Sequence, residues 1–155
     1  MALSGDLVEA WRIHDRLHRY LLDAIPPAHL AFRAGVKGRT VGEVFAHIHN
    51  VRLMWLGTAA PERLEGLAKV EKDAAGDAVH LAAALAASGE TIAGLLAAAL
   101  ESGRVKGFKP HPAAFFAYLV AHEAHHRGQV TQTLRLNGHP LDPKVAYGLW
   151  EWGVR

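Results

Sequence analysis

Apolar positions in this chain recur every three or four residues, the period of an amphipathic helix, and almost nowhere alternate as a strand requires. The pattern predicts four long helices, over about residues 7–24, 41–56, 77–101 and 112–136. Punctuation supports those limits. Pro26 and Pro27 close the first helix, because a residue before proline is pushed out of the helical region. Thr40 with Glu43 three residues on is the signature of a capping box, and Pro61 closes the turn after the second helix. Gly103 and Gly107 end the third, Pro112 suits the first turn of the fourth, and Asn137-Gly138 stops it. The tail DPKVAYGLWEWGVR reads as a short fifth helix carrying Trp150 and Trp152. No repeat or flexible linker divides the chain. The expected architecture is one all-α domain over residues 1–155, an antiparallel four-helix bundle with a short C-terminal fifth helix. In the third helix, Ala82, Ala83, Ala84, Ala86 and Ala87 would let neighbouring backbones approach closely.

Composition narrows the function classes. A chain of 155 residues, half of them hydrophobic and 21% charged, buries a sizeable core and is not disordered. The net charge of +2 comes with no dense run of Lys and Arg, which argues against nucleic acid as a partner. Without cysteine there is no disulfide, thiolate nucleophile or Cys-based zinc site. The N-terminal MALSGDLVEAW carries acid where a signal peptide needs base, and the apolar stretch 81–100 is broken by Ser88, Gly89, Glu90 and Thr91. A cytoplasmic protein with no membrane span is expected.

Eleven histidines change the picture, since histidine is the commonest metal ligand and the usual proton shuttle near neutral pH. Projected at about 100° per residue, Phe115, Leu119, Val130 and Leu134 define the apolar stripe of the fourth helix. His126 falls in the middle of that stripe and His122 on its edge, one turn apart, the spacing by which a helix offers two ligands to one metal. His125 and Arg127 point to the flanks. Glu123 falls near the stripe and needs a partner, for instance a ligating histidine. A third ligand must come from elsewhere. His47 and His49 flank the apolar face of the second helix, and periodicity does not choose between them. In the first helix His14 and His18 share a stripe with Leu7, Trp11 and Leu22. They either fill a polar seam between helices or line the pocket as outer-shell or proton-transfer groups.

The segments TVGEVFAHIHNVRLMW and HEAHHRGQVTQTLRLNGHP resemble the DinB/YfiT-like superfamily of metal-binding four-helix bundles, over nearly the whole chain. The most specific element is H-x3-H-R-G-Q, here His122, His126, Arg127, Gly128 and Gln129. By this resemblance His47 joins His122 and His126 as a metal-binding triad, leaving His49 and His125 outside it. The resemblance also implies a divalent transition metal, zinc or nickel, a homodimer, and an enzyme acting on a small molecule. Members resemble thiol transferases, so the implied chemistry is activation of a low-molecular-weight thiol for transfer to an electrophile. Activation of water for hydrolysis, or a non-enzymatic metal-binding bundle, are the alternatives.

Overall fold

The computed structural model describes residues 2–155. Helix α1 spans Ala2–Asp23, α2 Val41–Ala59, α3 Ala78–Ser102, α4 Pro112–Leu136 and α5 Pro143–Gly148, with short 3-10 turns between them. The capping box of α2 is present in full: Thr40 Oγ1 accepts from the Glu43 amide and the Glu43 carboxylate accepts from the Thr40 amide. Asp77 caps α3 and the imidazole of His111 caps α4, each accepting an otherwise orphaned amide of the first turn. Gly103 ends α3 at φ 76°, a left-handed conformation that favours glycine.

Three limits differ from the sequence reading. The first helix begins at Ala2 rather than near Leu7, so Ser4, Gly5 and Asp6 lie inside it. The second runs on through Gly57 to Ala59, because nothing stops it before Pro61. The fifth ends at Gly148, so neither Trp150 nor Trp152 lies on it. The reason lies in packing: Gly148 sits against the Tyr20 hydroxyl, where a Cβ has no room, and the chain turns at that contact.

Two apolar clusters fill the bundle end to end. One gathers Leu21 and Leu22 of α1, Val41, Phe45 and Ile48 of α2, Leu81 and Leu85 of α3, and Val130 and Leu134 of α4. The other holds Val8 and Trp11, Leu56, Ile92 to Ala99, and Phe115 with Leu119. Chain order through these clusters gives the topology. Helices α1 and α4 run one way and α2 and α3 the other, so the antiparallel neighbours are α1 with α3 and α2 with α4. The connection over residues 60–77 carries the chain back along the bundle, with Val70 and Ala75 packed into the first cluster. Gly42 of α2 lies directly under the carbonyl of Ala75, leaving no space for a side chain. Helix α3 is apolar and long enough by composition to cross a membrane, yet Leu81, Leu85, Ile92 and Leu96 are buried against its neighbours. The close approach of α1 and α3 comes at Gly89, whose carbonyl accepts from Trp11 Nε1 at 2.8 Å and whose missing Cβ makes room for Asp15.

Candidate metal centre

Between the two apolar clusters lies a buried polar layer built from the midpoints of all four long helices. His14, Asp15 and His18 come from α1, His49 and Arg52 from α2, Ser88 from α3 and Glu123 from α4, each at most 4% exposed. Arg52 is its centre. Its Nε and Nη2 donate to the two oxygens of Glu123 at 2.7 and 2.8 Å, and its Nη1 donates to Asp15 at 2.8 Å. Glu123 Oε2 also accepts from His14 Nε2 at 2.9 Å and His18 Nε2 at 2.8 Å. Burial opposes the charges on Glu123 and Arg52, but their mutual attraction outweighs it: the carboxyl is held well below its usual range and the guanidinium above its own. Burial pushes both histidines down, His18 to about 3, against the opposing pull of Glu123. They are therefore neutral donors, protonated on Nε2.

His47, His122 and His126 form a second group at the seam between α2 and α4. Each offers a ring nitrogen, and these atoms all lie within 4.8 Å of one another. His122 Nε2 and His126 Nε2 face each other at 3.1 Å, and the His47 ring lies 4.5 Å from that of His126. Two ligands on a tetrahedral ion at ordinary Zn–N lengths stand about 3.3 Å apart, so the pair is already near its bound separation. Gln129, one turn beyond His126, accepts from His126 Nδ1 at 2.8 Å. That bond places the proton on Nδ1 and leaves the Nε2 lone pair free toward His122, as a ligating imidazole needs. His122 Nδ1 is a buried nitrogen with no partner. Burial, and then Arg39, lower His47 to about 4, and burial lowers His122 and His126 too, so all three are unprotonated near neutral pH. The donor set fits a divalent transition metal.

The surroundings are asymmetric. The Tyr118 ring stacks parallel to His122 at 6.2 Å and belongs to an aromatic wall with Trp55, Phe108 and Phe115. On the other side, cavities of about 560 and 500 Å³ are both lined by Gly38 and Arg39; His47 lines the first, His125 and Gln129 the second. The two remaining histidines near the motifs are accounted for differently. His49 is buried with both nitrogens engaged, Nε2 donating to the Ala68 carbonyl at 2.8 Å and Nδ1 meeting Ser88 Oγ at 3.0 Å. His125 is exposed, with Nε2 beside the Gln129 amide nitrogen at 3.2 Å.

His14 and His18 lie in the polar layer, and no hydrogen bond among the described residues joins them to the triad. Glu123, expected as a partner for a ligating histidine, instead serves Arg52, His14 and His18; that outer role falls to Gln129. Arg52 was missed by the sequence reading. The available signal is that it continues the buried positions Phe45 and Ile48 toward Leu56 at helical spacing, where an arginine demands buried acids. No curated protein matches the sequence. The DinB family matches it over residues 1–152, and with a triad able to hold a metal at the α2–α4 seam, this chain belongs to the DinB family.

Proposed function

We propose that this protein is a divalent-metal enzyme that activates a low-molecular-weight thiol for transfer to an electrophilic small molecule. The observation that carries the reading is the pairing of His122 and His126 at 3.1 Å, with the His126 lone pair set by Gln129 and His47 closing the third side. A divalent ion on such a set lowers the pKa of a bound thiol and keeps an open position for it. His47, His122 and His126 hold the ion, and Gln129 orients His126. Tyr118, 38% exposed, offers an aromatic face to an apolar electrophile beside His122. Arg39, with no ion pair among the described residues, offers a cation to an acidic group of the thiol. His14 and His18 enter as positioning residues: sealed from solvent, with both Nε2–H groups on Glu123, they fix α4 and hold their protons.

The test is elemental analysis of untagged protein, followed by a screen of glutathione, cysteine, bacillithiol and mycothiol against a fluorogenic electrophile such as monochlorobimane. About one equivalent of zinc or nickel per chain is expected, as a three-histidine site holds one ion. His47→Ala, His122→Ala and His126→Ala should each lose it, while His125→Ala keeps it. Adduct formation should need the metal. Equal metal loss in His125→Ala and His126→Ala would overturn the ligand assignment. A fully loaded protein that forms no adduct with any thiol but cleaves activated esters would replace transfer by hydrolysis.

A further inference from the structure

A third cavity opens on another flank of α4, away from the triad. It has a volume of about 390 Å³ and lies between α4 and the C-terminal segment. Its polar wall is Arg127, Thr131 and Arg135 and its apolar wall includes Leu141, Leu149 and Trp150; no acidic residue lines it. Small-molecule sites have this size and this mixture of apolar surface with a few convergent polar groups.

Arg127 makes the cavity chemically specific. It is half-buried, yet among the described residues no carboxylate pairs with it, and its one hydrogen bond runs from Nη1 to His14 Nδ1 at 3.4 Å. The remaining N–H groups of the fork have no partner among the described residues. The buried layer behind it is already balanced: Arg52 and Arg19 face Asp15 and Glu123. Arg127 is thus a surplus cation beside a layer whose charges already pair with one another. Because Arg127 donates to His14 Nδ1, and His14 Nε2 donates to Glu123, the layer offers it no further acceptor. Thr131 Oγ1 donates to the Gly128 carbonyl and keeps its lone pairs for a donor. Trp150 is 78% exposed, a large apolar ring at the cavity rim where a ligand would cover it.

We propose that this cavity is a binding site for an amphipathic organic anion, a carboxylate on an aryl or alkyl body, with the carboxylate on Arg127 and Arg135 and the body against Leu141, Leu149 and Trp150. Arginine's planar fork matches a carboxylate in two-point fashion, and the apolar wall accounts for the rest of the molecule. The site is independent of the metal centre and of the reaction proposed there.

The experiment titrates 4-phenylbutyrate and its neutral analogue 4-phenylbutan-1-ol into the isotope-labelled protein as purified and follows amide and indole NMR shifts. Saturable shifts should centre on Gly128, Thr131, Leu149 and the Trp150 indole, with the acid bound about ten-fold more tightly than the alcohol, the worth of one charge-assisted bond. Arg127→Gln should bring the two affinities together, and Trp150→Ala should weaken both. If Arg127→Gln does not fold, Arg135→Gln must weaken the acid and leave the alcohol unchanged. Equal affinity of acid and alcohol in the native protein would overturn the proposal. So would a preference that survives Arg127→Gln, an Arg135→Gln variant that binds the acid normally, or shifts centred on His47 and His122. Absence of saturable shifts at millimolar probe would overturn it as well.

Discussion

Replacing Glu123 by Gln keeps the shape of the side chain and removes one negative charge from the centre of the bundle. Four donors converge on that carboxylate: Arg52 Nε and Nη2, His14 Nε2 and His18 Nε2, all between 2.7 and 2.9 Å. A glutamine oxygen can serve the Arg52 Nε side, but its NH₂ then points at three other donors. Arg52 is left with Asp15 alone against its charge, in a place where it is fully buried. Breaking a buried pair by removing one partner costs about 3–5 kcal/mol. For a chain of this length that lowers the melting temperature by about 6–20 °C, at 2–4 °C per kcal/mol. The control is Glu90→Gln, which breaks the exposed Arg12–Glu90 bridge and should cost less than about 1 kcal/mol. Scanning calorimetry on both variants gives the comparison. Adding Arg52→Met to Glu123→Gln should restore part of the loss, because the uncompensated cation is then gone. If Glu123→Gln melts within about 2 °C of the native protein, the equivalent of about 0.5–1 kcal/mol, the carboxylate is not the keystone of this layer.

Other outcomes follow from the same geometry. His14 and His18 have pKa values lowered by burial, His18 to about 3, so on acidification the unfolded chain takes up protons near pH 6.5 that the folded one refuses. Stability should therefore fall as pH drops from about 6.5 toward 3, by up to about 1.4 kcal/mol per pH unit per histidine; urea midpoints from pH 7 to 4.5 measure it, and a flat profile would contradict it. Gln129→Leu leaves His126 Nδ1 without its acceptor and should weaken metal affinity about 10–100-fold, read by competition with a chelating dye, while Gln129→Glu retains it. An unchanged affinity in Gln129→Leu would remove Gln129 from the centre. A homodimer is expected through the exposed stripe of Val79, Ala83 and Ala87 on α3, and light scattering at micromolar concentration that returns the 16.8 kDa of one chain would refute it.

Where the sequence was legible, a local signal decided the outcome. Helix α4 begins and ends where Pro112 and Asn137-Gly138 say it should, because caps act within one turn. His122, Glu123 and His126 fall as the projection of one helix requires, with Glu123 and His126 buried and His122 half-buried. What stayed hidden depends on contacts distant in sequence. The partners of Glu123 are 71 to 109 residues away, on two other helices, and no period along α4 reveals them. Periodicity also left His47 and His49 undecided, since both flank one face; the family resemblance made the choice, and the Ser88 and Ala68 contacts that absorb His49 lie outside α2. The parallel run of α2 and α3 had a signal that could have been used. A connection of 18 residues at about 3.3 Å each spans the roughly 37 Å of a 25-residue helix with length to spare, whereas a hairpin needs only a few residues.

One turn of α4 faces three environments at once, and this links the buried layer to the metal centre. His122 and His126 face the seam with α2, Glu123 faces Arg52, and Arg127 reaches His14 beside the cavity under the C-terminal segment. No hydrogen bond among the described residues crosses between the layer and the triad, so the two share only the backbones of α2, which carries His47 and Arg52, and α4, which carries His122, Glu123 and His126. A ring nitrogen about 7 Å from the helix axis moves about 1 Å for a 10° rotation of that helix, several times the roughly 0.2 Å tolerance of a metal–ligand bond. Apolar packing resists such rotation through many contacts that have no preferred direction. The two-point pairing of Arg52 with Glu123 adds a directional restraint, since its two bonds hold one relative orientation of the fork and the carboxylate. The buried ion pair therefore serves less as a source of stability, which an apolar core of equal volume would match. What it adds over such a core is direction, a restraint on the angle at which α4 presents His122 and His126 to His47.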